Sequence, residues 1–498
     1  MDRPNVVVLV FDTLRPDYLS CYDGGPDIPT PGFERLTDRG TVFDRAFSAG
    51  PNTEVSHGAL FTGRYPSDTG LVGGPVEIPD GETLLAEHFR DHGYATFGVS
   101  GPSKIRSDLG YDRGFETYVE PYYDNLDPRP SAAYLRRAAT DRLVGRDFCR
   151  TLTRGPDSLT AYKFDLLKRR FSRVDDRPLF AFVNVLTCHT PYDPPRPYKE
   201  RAVESLSRPR WFTLEYALEQ FGFRPETLDD PAVRSERVLR AAGGHGGPYF
   251  GDPSWLTDRE LVALRDLYAA TVRYLDARVD AFLDWLDETG LASETVLVCT
   301  ADHGEHLGEH DLLYHGNFLY DETLHVPLFV SGPDVPADRR EAFVSLVDVF
   351  PTLCERAGVE TPPDLRGESL LGGAGREAVF AEYGTRDATA SKFAAQFDDE
   401  QRTRFSLGMK CVRTRDRKLV LRSDGTVELF GVPGDEPIAD VDDRIADADA
   451  PMADDDATAP LRERLTDTLG VEFDPAGDAR EGADDRVLAN LRELGYVD

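Results

Sequence analysis

Val6-Val7-Val8-Leu9-Val10-Phe11, followed at once by Asp12, is the stretch that decides the fold of this chain. Six apolar residues in succession, mostly β-branched, do not alternate with polar ones, so they read as a strand covered on both faces, as in a parallel sheet packed between helices. Short runs of the same kind recur at Ala95–Val99, Leu179–Val185, Thr295–Cys299 and Pro327–Val330. Between them, apolar residues fall at helical spacing in Gly81–Phe89 and in the much longer Asp258–Glu288. The alternation predicts an α/β fold with a large, mainly parallel sheet flanked by helices. Ligands gather at the carboxyl ends of such strands. Polar residues just past the runs are therefore the chemical candidates: Asp12 after the first, His189 after the third, and Asp302-His303 after the fourth. Two carboxylates and an imidazole at the ends of strands in one sheet make a ligand set for a divalent cation.

Farther from that stretch the organisation changes. Residues 1–365 read as the main α/β domain, within which 121–257 is rich in Arg, Pro and Gly and is expected to be a variable excursion carrying substrate contacts. From 366 to 498 a smaller subdomain is expected. Lys410–Thr414, Lys418–Arg422 and Thr426–Phe430 are short runs separated by turn signals and predict a small antiparallel sheet. Gly434–Pro460 reads as an acidic surface loop and Asp484–Leu494 as a closing amphipathic helix.

Composition narrows the function classes. With 57 Lys+Arg against 89 Asp+Glu, the formal net charge is −32, which repels a polyanion and excludes nucleic acid as a partner. The acidity instead suits a solvating surface in a high-salt cytoplasm, where screening removes self-repulsion. Six cysteines, Cys21, Cys149, Cys188, Cys299, Cys354 and Cys411, show no paired spacing and are read as reduced thiols. No stretch approaches the ~18 consecutive apolar residues of a membrane span, so the expectation is a soluble cytoplasmic protein.

The ordered motifs then carry a resemblance. Val8–Asp17, with Asp12-Thr13-Leu14-Arg15-Pro16-Asp17, and Thr300–His310, with Asp302-His303-Gly304-Glu305, are similar to the two metal motifs of the sulfatase family in the alkaline phosphatase superfamily. Pro29-Thr30-Pro31, His189-Thr190-Pro191-Tyr192, Tyr320-Asp321-Glu322 with Val326-Pro327-Leu328, and Asp348-Val349-Phe350-Pro351 add to it. The resemblance covers nearly the whole chain and is weakest between 121 and 257. It implies one divalent ion, Mn²⁺, Mg²⁺, Zn²⁺ or Ca²⁺, held by Asp12, Asp302, His303 and Thr53. Thr13 stands where the family has a further ligand Asp.

The segment Thr53-Glu54-Val55-Ser56-His57, leading to Thr62-Gly63, resembles the family's signature and places Thr53 at the nucleophile and His57 at its Arg. In sulfatases that nucleophile is a Cys or Ser oxidised to formylglycine, whose hydrate expels sulfate by collapsing to the aldehyde. A threonine cannot yield that aldehyde. It can form a phosphoryl ester displaced in a second step, as in the superfamily's phosphodiesterases and phosphotransferases. The resemblance thus implies hydrolysis or transfer of a sulfate or phosphate ester, phosphate favoured, on a small molecule or a glycan or lipid head group. His189 and His315 are the candidates for gripping the ester or protonating the leaving group, His315 standing where the family usually has Lys. Lys104 is a weaker match to a sulfate-binding Lys. Ser56 reads as a structural hydroxyl, and Glu305 and Glu309 as loop-capping residues. The alternative is a catalytically degenerate relative that binds a metal and an anionic ligand without turnover.

Overall fold

The structure, a computed structural model, describes residues 3–120, 159–198, 256–385, 399–439 and 458–474 apart from short breaks. Along the chain the strands are β1 Asn5–Phe11, β2 Gly40–Phe47, β3 Ala95–Val99, β4 Thr117–Val119, β5 Leu179–Val185 and β6 Thr295–Ala301. There follow the short pair β7 His306–Leu307 and β8 Leu313–Tyr314, then β9 His325–Ser331 and β10 Asp338–Ser345. The last five are β11 Val379–Tyr383, β12 Met409–Arg413, β13 Arg417–Arg422, β14 Val427–Gly431 and β15 Glu436–Ala439.

Eight of them form the main sheet in the order β10-β2-β9-β6-β1-β5-β3-β4. Every pairing in it is parallel except those of β9 with β2 and with β6, so β9 alone runs against the rest. β1 lies at the centre, and Val6 to Phe11 are each 0% exposed, as an uninterrupted apolar run requires. Five runs read from the sequence are strands of this sheet. β2, β4 and β10 were not apparent: β2 carries Asp44-Arg45 inside it, and β10 opens on Asp338-Arg339-Arg340-Glu341 at a sheet edge, where charge shields the open ladder.

The flanking helices bury apolar stripes on the sheet. The helix Asp258–Glu288 starts where Thr257 and Glu260 cap each other. It buries Leu264, Leu267, Leu275, Val279 and Phe282, each contributing about 1.5–3 kcal/mol of transfer free energy. The helix expected over Gly81–Phe89 runs instead from Leu85 to Asp91, because the Glu87 carboxylate accepts the Leu84 N–H at 3.2 Å and fixes the start there.

A second sheet, β11-β12-β13-β14-β15, is antiparallel throughout. Its three expected runs are β12, β13 and β14, with β11 and β15 added at the edges. It is fastened to the main domain through Asp321, which takes Arg413 at 2.8 Å and Lys418 at 3.2 Å, while the Asp321 N–H donates to Asp435 at 2.7 Å. The stretch Gly434–Pro460 includes β15 and the first residues of a helix, Ala459–Leu469, which packs Leu461 and Leu465 on the small sheet. The closing helix expected at Asp484–Leu494 and most of 121–257 lie outside the described residues. In the latter stretch, the helix Thr160–Phe171 and β5 are described.

Candidate active site

The register of the three central strands assembles the site. Phe11 pairs with Ala301 on β6 and with Val185 on β5. The next residues on β1 and β6, Asp12 and Asp302, therefore leave the sheet side by side. Both are 0% exposed, as is His303. One ligand atom from each of the three lies within 4.8 Å of the others. His303 Nε2 is 3.9 Å from Asp12 Oδ1 and 3.5 Å from Asp302 Oδ2.

β2 delivers the fourth group. After it the chain turns into the helix Thr53–Thr62, whose N-cap Asn52 accepts the Val55 N–H at 3.2 Å and whose end is set by Gly63 at φ 66°. Thr53 is the first residue of this helix, next to the positive end of its dipole. Its hydroxyl lies 3.3 Å from His303 Nε2. His303 Nδ1 donates to the Gly304 carbonyl at 2.9 Å, so the Nε2 lone pair faces Thr53 and the carboxylates.

The donor set fits a divalent cation. Both oxygens of Asp12 and Oδ2 of Asp302 are buried without a hydrogen-bond partner among the described residues. Such orphans are costly unless a cation satisfies them. Burial and the Asp302 charge push the Asp12 carboxyl well above its ordinary range. Asp302 Oδ1, by contrast, accepts the N–H groups of His303 at 3.0 Å and Thr13 at 3.3 Å, which orients Oδ2. Thr13 itself sits at φ 60°, a strained conformation for a β-branched residue, held by the Tyr268 hydroxyl donating to its carbonyl at 2.6 Å.

His57 is fully buried behind Thr53. Its Nδ1 donates to the Thr53 carbonyl at 2.9 Å, its Nε2 accepts from Asn184 at 3.4 Å, and burial lowers its pKa. It therefore braces the first helical turn, with Nδ1 also 3.6 Å from Asp302 Oδ2. Ser56 does likewise, donating to the Asp302 carbonyl at 2.6 Å. His189 and His315 come together, with ring centroids 5.1 Å apart, and His315 lies 4.4 Å from His303. Lys104 pairs with Glu54 at 3.5 Å, one residue beyond Thr53.

Two features escaped the sequence reading. Glu305 is 0% exposed and burial raises its pKa to about 7; it bonds His315 and Tyr192 rather than capping a loop. Gly304 serves space: a Cβ there would lie 2.0 Å from the Glu322 carbonyl oxygen, which accepts the Glu305 N–H. Glu309 accepts Arg15 at 2.9 Å and the Leu307 N–H at 2.7 Å. A second group, His310, Glu322 and Asp435, also has ligand atoms within 4.8 Å. There the Lys418 ammonium already lies against Asp435 and Asp321, and His310 pairs with Glu322 at 3.1 Å, so the negative charge is answered by protein cations.

The sulfatase family's sequence model matches residues 4–359. The chain belongs to the sulfatase family. A second family model, described as N-sulphoglucosamine sulphohydrolase, C-terminal, matches residues 308–419. Among curated relatives, a sulfatase of Formosa agariphila is 26% identical over 392 residues, covering 74% of this chain and 72% of that protein. The ulvan-active sulfatase of the same organism is 23% identical, covering 74% of this chain and 64% of its own length. The choline-sulfatase of Rhizobium meliloti is 23% identical, covering 76% and 74%. In fold, the phosphonate monoester hydrolase of Silicibacter pomeroyi superposes with a TM-score of 0.65 at 20% identity, covering 95% of this chain and 96% of that one. That of Agrobacterium radiobacter gives 0.64 at 22%, covering 99% and 96%. This sulfatase-family chain is a sulfatase-like ester hydrolase of the alkaline phosphatase-like fold. The family is generally dependent on a divalent metal, and the Asp12, Asp302 and His303 cluster is a fitting place for it. No helix among the described residues is long and apolar enough to cross a membrane.

Proposed function

We propose that this enzyme cleaves phosphate or phosphonate esters, by hydrolysis or transfer, through a covalent intermediate on Thr53, with Asp12, Asp302, His303 and the Thr53 oxygen holding one Mn²⁺, Mg²⁺, Zn²⁺ or Ca²⁺. The observation that carries this reading is the Thr53 hydroxyl at the start of a helix, 3.3 Å from the His303 nitrogen that faces the orphaned carboxylates. A bound divalent ion supplies Lewis-acid charge that lowers the pKa of a nearby hydroxyl and neutralises the ester's oxygens.

This chain's residues supply the rest. Thr53 Oγ attacks phosphorus in line, the bond to the ester oxygen breaks, and the leaving alcohol departs with the proton that Thr53 gives up. A water or another alcohol then attacks the same phosphorus, the Thr53–phosphorus bond breaks, and the hydroxyl is restored. The helix dipole favours the developing anion. His189 and His315 grip the ester and leaving oxygens, and His57 holds the Thr53 turn. A secondary alcohol cannot supply the aldehyde collapse that releases sulfate, which is why phosphorus is favoured over sulfur. The phosphonate monoester hydrolases of like fold support the same choice. Five described cysteines are free thiols, which suits the reducing cytoplasm proposed as its location.

The test is a panel of 4-nitrophenyl sulfate, 4-nitrophenyl phosphate, bis(4-nitrophenyl) phosphate and 4-nitrophenyl phenylphosphonate with each metal. Phosphorus ester turnover that disappears in Thr53→Ala and persists in part in Thr53→Ser is expected. Sulfate turnover that survives Thr53→Ala would overturn the assignment.

A further inference from the structure

We propose that Glu305 is a positioning residue that sets His189 and His315 for departure of the leaving group, and so governs how poor a leaving group this enzyme accepts. The inference rests on the phosphoester reading above. Glu305 lies two residues past His303 and is fully buried. Its two oxygens serve two different loops. Oε1 accepts from His315 Nδ1 at 2.7 Å, and Oε2 accepts from the Tyr192 hydroxyl at 2.9 Å, three residues beyond His189. The carboxylate thus ties both histidine loops to the loop of the metal motif.

The main chain of Glu305 is fixed as well. Its N–H donates to the Glu322 carbonyl, and its own carbonyl accepts Arg15 Nη1 at 3.0 Å. Arg15 also donates to Asp17 and Glu309 and forms no salt bridge with the Glu305 carboxylate. Burying a carboxylate whose donors are a phenol and an imidazole costs several kcal/mol that an apolar side chain would not. For packing alone, leucine would serve better.

The anchoring has a geometric consequence. His189 Nδ1 donates to the Thr190 carbonyl at 2.6 Å, and His315 Nδ1 to Glu305. Each ring therefore turns Nε2, on its far edge, away from its anchor, and the two rings sit 5.1 Å apart. Two imidazoles held at this spacing can engage one departing oxygen. Positioned proton donation of this kind is worth about 10²–10⁴-fold and matters most when the leaving group is a weak acid.

The experiment measures kcat and KM of the full chain, metal-loaded, on methyl phosphodiesters bearing 4-nitrophenoxide, phenoxide or an alkoxide as the leaving group. Glu305→Gln is expected to lose no more than about 3-fold on the 4-nitrophenyl ester and about 100-fold or more in kcat on the alkyl ester. Glu305→Asp should recover part of the loss, and adding Glu305→Gln to a His189→Gln/His315→Gln double variant should slow it no further, since Glu305 acts through those two rings. Metal content and melting temperature are read on every variant. If Glu305→Gln fails to fold, Tyr192→Phe, which removes one of the two bonds, should show the same leaving-group trend at smaller amplitude. A loss equal across all three leaving groups, or a further loss when Glu305→Gln is added to the His189→Gln/His315→Gln variant, overturns the proposal while leaving a Thr53-dependent phosphoesterase intact. A metal-loaded wild type that releases none of the three alcohols overturns both.

Discussion

Replacing Asp12 with Asn should all but abolish the enzyme's thermal response to metal. In the metal-free protein, Asp12 and Asp302 are fully buried with three carboxylate oxygens unpartnered among the described residues. Removing one charge relieves both desolvation and repulsion, so metal-free Asp12→Asn should melt above metal-free wild type at pH 8. Metal then favours the wild type far more than the variant. A ligand at 100 times its Kd stabilises the native state by about 2.7 kcal/mol. Changes around metal ligands alone weaken binding about 10–100-fold, so losing a charged ligand costs at least about 100-fold. At the same metal concentration the variant then gains RT ln 2, about 0.4 kcal/mol. Unfolding entropy near 2.1 cal/mol/K per residue gives about 1 kcal/mol/K for a chain this long. The shifts on adding metal should accordingly be about 3 °C for wild type and about 0.4 °C for the variant. Differential scanning calorimetry with and without chelator, followed by titration of Mn²⁺, Mg²⁺, Zn²⁺ and Ca²⁺, reads both. Equal shifts in the two proteins, or a metal-free variant that melts lower than wild type, would refute the argument that these oxygens await a cation.

Other outcomes follow from single contacts. Thr53→Ala should leave metal-induced stabilisation within a factor of a few of wild type while cutting phosphoester turnover by at least about 10³-fold, as loss of a nucleophile does; comparable losses in both would make Thr53 a ligand only. Gly304→Ala drives a Cβ to 2.0 Å from the Glu322 oxygen, so a cost of about 1–3 kcal/mol in urea unfolding and weaker metal binding are expected. Gly81→Ala, where a Cβ meets nothing within 4 Å, should change stability by less than about 0.5 kcal/mol. Glu309, held by Arg15, has its pKa lowered to about 2. A depressed folded pKa means the stabilisation is present above the unfolded value of 4.5 and fades as pH falls through 2. Glu309→Gln should thus cost about 1–3 kcal/mol at pH 7 by urea midpoint, and the gap to wild type should close toward pH 2.

How much of this was legible in the sequence depended on whether the signal was local. An apolar run without alternation needs no partner to be recognised, so β1, β3, β5, β6 and β9 could be read one at a time. A polar residue directly after such a run, Asp12 or Asp302, could be read with them. Strands at the edge are chosen by what they pair with. β10 opens on four charged residues and is a strand because β2 supplies its ladder, an arrangement no window of ten residues contains. The antiparallel sense of β9 is likewise set by the path of the chain before it and not by its composition.

The same division runs through the site. Asp12, Asp302 and His303 could be named because each stands at the end of a readable element. Glu305 could not, because its meaning lies in Tyr192 and His315, 113 and 10 residues away along the chain. The offset of the Thr53 helix from the sheet explains the rest. The helix reaches the site from β2, one of the strands the sequence concealed, so the 3.3 Å approach of Thr53 to His303 follows from a pairing of β2 with β9 that has no local trace. A carboxylate at a strand end is thus found by its own segment, and Thr53 by the likeness of its segment to a family signature, whereas a brace such as Glu305 is found only by what faces it. In this chain the ligands and the attacking hydroxyl were open to sequence reading, and what stayed closed was the brace behind the histidines and the pairing that brings Thr53 to His303.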